Sequence, residues 1–229
     1  MLKFTLNNVI SVEKIRHTDP VISVFVIDDF LANPELLIEY AKNKAYFGRV
    51  GDDKTAYPGI RDRLPSAYEN ALKEGIKKVY GPSDPQVHRC MMSLITLQPE
   101  ELSSVQKMPH VDAFDDDQYA SVHYLCDASY GGTAIYRYKP RNLVKIKRCD
   151  KDVMTEMIVK TRDNEKEHRG YLIGDTSLYK QELVIPAKWN RLVLYPSNLL
   201  HCALIKAPNS SGDDVSKGRL SVASFFRLE

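Results

Sequence analysis

The chain has 229 residues, 43% of them hydrophobic, which suits one folded domain with a full core rather than a disordered chain. Its 32 basic and 30 acidic residues leave a formal charge of +2, so no broad field for gripping nucleic acid or anionic lipid is expected. The longest apolar runs, such as Val21 to Ile27, are strand-sized, and Met1 to Ile10 lacks the basic start and long apolar middle of a secretory signal. Cys90, Cys126, Cys149 and Cys202 are scattered without a Cys-x-x-Cys pair, which argues against a zinc ribbon or disulfide framework. A cytoplasmic protein with reduced thiols is the expectation, with no membrane and no nucleic acid as partner.

The first third reads as the helical part. Val21–Phe30 has the apolar, β-branched make-up of a strand. Asn33 then stands as a helix cap, with Pro34 at the first helical position and Glu35 in the first turn. Leu37, Tyr40 and Ala41 recur at helical spacing, and the helix is expected to run to Ala45. Tyr46 to Leu64, rich in charge and glycine, reads as a long loop. A second helix is predicted from about Pro65 to Tyr80, with Tyr68, Leu72, Ile76 and Val79 on one face and Gly81-Pro82 as its stop.

From His88 onward short strands alternate with turns. The candidates are His88–Leu97, Tyr119–Cys126, Thr133–Tyr138, Glu182–Ile185, Arg191–Tyr195, His201–Lys206 and Arg219–Leu228. Their length and spacing suggest a sandwich or barrel, with Gly131-Gly132 as a turn between two of them. Arg141 to Lys180 fits least well, because it is heavily charged around a helix-like piece at Asp150–Lys160. It reads as a solvated insertion or as a lid over the open end of the barrel. No composition shift marks a second domain. The expected layout is a single domain over 1–229, with helical support in 1–87 and a β core in 88–229 that carries the insertion at about 140–180.

One constellation carries chemistry. His110-Val111-Asp112 follows Pro109 at the start of an acidic loop, and His201 lies far downstream, after the turn PSNLL. Two imidazoles and one carboxylate on one side of an octahedral metal leave three positions open, the pattern of non-haem iron(II) oxygenases. Residues two apart on an extended segment face the same way, so His110 and Asp112 can share a metal. Taken alone, His-x-Asp is a common chance pattern. It gains weight from its ordered company: a strand ending Tyr124-Leu125, then Gly131-Gly132-Thr133, then His201, then Arg219-Leu220-Ser221.

With VFVIDDFLANPELL near the start and RLVLYPSNLLH and RLSVASFF near the end, this order resembles the prolyl-4-hydroxylase-like branch of the 2-oxoglutarate and iron(II)-dependent dioxygenases. The likeness runs from Val21 to the C-terminus. It implies a mainly β fold, a double-stranded β-helix (jelly-roll, cupin-like) with the N-terminal helices packed outside it. It also implies iron(II) on His110, Asp112 and His201, and 2-oxoglutarate as co-substrate with its distal carboxylate on Arg219. Tyr124 matches a tyrosine that hydrogen-bonds the same carboxylate in some members, and Ser221, two residues beyond Arg219 and so on the same strand face, can add its hydroxyl. The implied activity is hydroxylation of a small molecule or protein side chain, with release of succinate and carbon dioxide.

Each residue has a plainer rival. Arg219 could be a surface charge, His201 a core histidine, and Tyr124 one more core tyrosine among 13. The whole chain could also be a cupin-like metal-binding module that works without 2-oxoglutarate or without catalysis. The intervals on either side of His201 are long for the family, the second stretched by PNSSGDDVSKG, which has the composition of a surface turn. Asp115 to Asp117 lacks the glycine and closing glutamate of a calcium loop, and the cluster KIKRCDK at 145–151 reads as a solvated face.

Overall fold

A computed structural model describes residues 3–18, 21–206 and 214–228, which form ten strands and three α-helices. Most of the PNSSGDDVSKG segment falls outside the described residues. The strands are β1 (Ser11–Thr18), β2 (Val21–Asp28), β3 (Gly59–Arg63), β4 (Gln86–Ile95), β5 (Gln118–Tyr124), β6 (Gly131–Tyr138), β7 (Tyr179–Pro186), β8 (Arg191–Pro196), β9 (His201–Ile205) and β10 (Leu220–Arg227). The helices are α1 (Glu35–Asn43), α2 (Ser66–Tyr80) and α3 (Lys151–Asp163).

Two antiparallel sheets result. One has seven strands in the order β1-β2-β8-β5-β10-β4-β3, the other three in the order β7-β6-β9. An isolated antiparallel bridge between His110 and His201 extends the smaller sheet past β9. Counting that bridge, the chain switches sheets at each step from β4 onward except between β6 and β7, which pair within the smaller sheet, so segments far apart in sequence become neighbours.

Strand alternation sorts the core into layers. Met92, Leu94, Leu192, Leu194 and Leu220 share one buried cluster with Leu37 of α1 and Tyr68, Leu72 and Ile76 of α2. Their neighbours of opposite parity build the layer between the sheets, where Val24, Val26, Tyr124, Val193 and Tyr195 meet Ile135 and Ile185 of the smaller sheet. Tyr136, Tyr138 and Leu204 point the other way from the smaller sheet and are covered by Met157, Leu172 and Leu178.

That third cluster corrects the reading of 141–180 as a solvated insertion. Its charges lie on one side, while Met157 and Ile146 are fully buried against Tyr138 and Tyr179. Composition hid this because a three-turn amphipathic helix needs only a narrow apolar stripe.

Other expectations also shift. The stretch read as a loop contains β3, an edge strand whose sequence GIRDR carries no apolar alternation. The first 87 residues are more than helical support, since β1, β2 and β3 all join the larger sheet. Asn33 does not cap α1 with its side chain; its Oδ1 accepts from Thr5 N and its Nδ2 donates to the Lys3 carbonyl, tying down the N-terminal segment. Gly131 and Gly132 open β6 rather than forming the turn before it. Gly131 is needed there because its φ is 112° and a side chain would run into the Leu204 carbonyl. Gly81 ends α2 as expected, with φ 88° and its N–H on the Lys77 carbonyl.

A buried polar node joins the layers. Asn190, held at φ 60°, accepts from Leu31 N at 3.0 Å and donates to the Leu31 carbonyl at 2.8 Å. Its Oδ1 also faces His123 Nε2 at 3.1 Å, and His123 Nδ1 faces the Tyr68 hydroxyl of α2 at 3.2 Å. Both Asn190 amide groups are thus assigned, so His123 donates from Nε2 and accepts at Nδ1 as a neutral ring. Burial pushes its pKa from 6.5 down to about 4, against a smaller upward pull from Asn190.

Two outcomes are expected. Asn190→Ala should lower the unfolding free energy by about 3 kcal/mol in urea denaturation, since it orphans buried groups on three segments. Between pH 6.5 and 4 the unfolded imidazole holds a proton that folded His123 refuses. Its contribution to stability is therefore complete above about pH 6.5 and falls with acidification, by at most about 1.4 kcal/mol per pH unit. Urea midpoints measured from pH 7.5 to 4.5 should fall less steeply in His123→Gln than in the wild type.

Candidate metal centre and its cavity

The three predicted ligands come together because the backbone puts them there. His110 N donates to the His201 carbonyl at 2.8 Å, and His201 N donates back to the His110 carbonyl at 2.9 Å. One residue beyond Val111, Asp112 N donates to the Ser197 carbonyl at 2.9 Å, which anchors the acid to the turn before His201. That turn is itself pinned by Ser197 N on the Gln118 carbonyl and Leu200 N on the Val144 carbonyl.

The side chains converge accordingly. His201 Nε2 lies 3.3 Å from one Asp112 carboxylate oxygen and His110 Nε2 lies 3.7 Å from the other. One donor atom from each of the three residues falls within 4.8 Å of the other two. His201 Nδ1 donates to the Leu199 carbonyl at 2.8 Å, so its Nε2 is left as a lone-pair donor facing Asp112. Tyr195 packs edge-on against the same ring, with centroids 4.7 Å apart.

The charges suit metal ligation. Desolvation by the surrounding cavity walls lowers the His110 pKa to about 4, although its side chain is still 48% exposed, and the neighbouring His201 adds to that. Burial also opposes ionisation of Asp112, but His201 and His110 outweigh it and the carboxyl pKa falls. For His201, burial disfavours the imidazolium, yet Asp112 raises the net value. An ionised carboxylate beside a neutral His110 is the form a divalent cation needs.

The triad opens into a cavity of about 370 Å³. Of the three residues expected to hold a co-substrate, Arg219 and Ser221 line it as well, whereas Tyr124 is not among its lining residues. Arg219 is 3% exposed, so it is no surface charge. It donates from one terminal nitrogen to the Gly132 carbonyl at 3.0 Å, while its Nε has no partner and no carboxylate pairs with it among the described residues. Tyr124 sits behind it, with the guanidinium carbon 5.3 Å from the ring centre and the hydroxyl 2.5 Å from Thr133 Oγ1. Strand register sets Ser221 opposite Tyr124 on one side and Ser93 on the other.

Several cavity residues were not visible in sequence. Arg61 stands opposite Ser93 and donates to it from Nε at 3.0 Å, while its terminal nitrogen pairs with Asp53 at 3.2 Å. Tyr57 stacks on that guanidinium at 4.3 Å and brings its buried hydroxyl beside Arg219 and Ser221. Met154 and Ile158, one turn apart on α3, form another wall with Tyr171. No spacing rule marks these residues, since they sit in an edge strand, a loop and the insertion. The acidic and basic clusters noted in sequence meet each other instead: Arg148 pairs with Asp115 and Lys147 with Asp116.

No helix among the described residues is long and apolar enough to cross a membrane. A family described as a family of unknown function (DUF6445) matches residues 8–226. No curated protein matches the chain. Among solved structures, the non-heme alpha ketoglutarate dependent epimerase SnoN from nogalamycin biosynthesis is similar at 13% identity and TM-score 0.48, over 89% of this chain and 76% of that one. An N-substituted L-amino acid dioxygenase from Burkholderia ambifaria, in complex with alpha-KG, gives 11% identity and TM-score 0.43 over 92% and 87%. HygX from Streptomyces hygroscopicus, with nickel and 2-oxoglutarate bound, gives 10% and 0.42 over 89% and 82%.

A divalent cation that binds only the folded triad should raise stability by about 2.7 kcal/mol at a hundred times its dissociation constant. Thermal melts with manganese(II) should show an upward shift in the wild type. The shift should vanish in Asp112→Ala and in His201→Ala.

Proposed function

The chain belongs to that family, and we propose that it is an iron(II)- and 2-oxoglutarate-dependent oxygenase built on a double-stranded β-helix, with its N-terminal helices outside the larger sheet and its sequence likeness to the prolyl-4-hydroxylase branch. The observation that carries this reading is Arg219. A guanidinium buried beside the triad, with an unpartnered Nε and no carboxylate of its own among the described residues, is costly unless an anion completes it.

His110, Asp112 and His201 would hold the iron from one side, leaving three positions for other ligands. Arg219 offers a planar fork to the distal carboxylate of 2-oxoglutarate, and the Ser221 and Tyr57 hydroxyls lie where they can add hydrogen bonds. Tyr124 braces the guanidinium from behind. Iron and 2-oxoglutarate, when bound, would supply activation of dioxygen, with one oxygen atom ending in succinate as carbon dioxide leaves and the other in the hydroxylated substrate. The chain's own part is to fix ligand geometry through the Leu199 carbonyl and to keep water out with Tyr195, Met108 and the α3 wall. With Asp112 in the carboxylate position, hydroxylation is expected rather than halogenation.

Anaerobic addition of iron(II) and then 2-oxoglutarate should produce a weak visible charge-transfer band, and admitting oxygen should release succinate. Arg219→Ala should raise the KM for 2-oxoglutarate by about a hundredfold, corresponding to about 3 kcal/mol for a charge-assisted pair. His201→Ala should abolish both band and succinate. Wild-type protein that binds iron but gives neither signal would leave a metal-binding module of the cupin kind.

A further inference from the structure

The triad and Arg219 account for part of the cavity; the rest has its own chemistry. Its walls are Val105, Val122, Met154, Ile158, Ala223 and Phe225. Asp112 is the one carboxylate among the lining residues, and it faces the two histidines. The lining cations are Arg61, Arg89 and Arg219. Arg61 is tied to Asp53 and Ser93, and Arg219 lies at the co-substrate end. Arg89 is different. It stands directly across from Phe225 in the β4–β10 ladder, with its guanidinium carbon 4.6 Å from that ring centre. It is exposed and makes no ion pair among the described residues.

We propose that this space takes a small carboxylate with an apolar body, the anion on Arg89 and the body between Phe225 and the Met154–Ile158 wall of α3. The proposal rests on the oxygenase reading for its chemistry and deepens it by naming the substrate class. Size agrees: about 370 Å³ for substrate and co-substrate together lies near the low end of the range for small-molecule sites, roughly 300–1,000 Å³. Charge agrees too. A substrate amine finds no acid there apart from a metal ligand, whereas a carboxylate finds a guanidinium already stacked on an aromatic ring. Selection then works by matching and by exclusion, since a cation would be desolvated without a partner.

Calorimetric titration with 3-phenylpropionate, octanoate, 3-phenylpropionamide and 3-phenylpropylamine tests this, both with and without iron(II) and 2-oxoglutarate under anaerobic conditions. At least one carboxylate should bind, and the amine should not. Arg89→Ala should weaken the carboxylate by about tenfold, to the level of the amide, with 2-oxoglutarate bound. Ile158→Trp should block both carboxylates, and a melting temperature equal to the wild type will show that the fold is intact. Equal affinity across charge types, no binding by either carboxylate, or an indifferent Arg89→Ala would overturn the proposal. Arg89-dependent binding without any succinate release would sink only the oxygenase reading. Succinate release with no dependence on Arg89 would sink only this one.

Discussion

Two backbone hydrogen bonds between His110 and His201 set the site. They are the last rung of the smaller sheet, and they fix two imidazoles side by side before any metal is present. Asp112 inherits its position from the same rung, because its own N–H is held by the turn that leads into His201. A ligand set built on main-chain pairing does not depend on side-chain entropy for its geometry, so the fold pre-pays the cost of convergence.

Charge around that rung follows a consistent pattern. Asp112 is compensated by the histidines, Arg61 by Asp53, and Arg191 by Asp28 through two hydrogen bonds of 2.6 and 3.0 Å. Arg219 breaks the pattern. It is the buried cation whose counter-charge the described protein does not supply, and it lies in the wall of a cavity. A site evolved merely for packing would have no reason to leave it so.

The sequence was most readable where local physics and global topology agree. Val21 to Asp28 and Arg191 to Pro196 are apolar, β-branched and central, and both form strands. Alternation puts Ser221 on the face of Arg219, and both line the cavity; that Ser221 also stands opposite Tyr124 comes from the ladder. What stayed hidden depends on pairing. Residues 11–18 and 59–63 are polar edge strands whose conformation comes from one neighbouring strand each. Tyr57 and Arg61 reach the cavity only because that edge folds against β4. In the insertion, charge outnumbered apolar residues, yet a few buried positions decided where it sits.

Helix α3 divides its labour by angle. Met157 and Thr161 are buried, with Met157 clamped against the back of the smaller sheet, whereas Met154 and Ile158, offset around the same cylinder, look into the chamber. Anchoring and selection thus fall on different side chains of one rigid rod. Substitution at the two chamber positions would change which guest fits while the rod stays bolted in place.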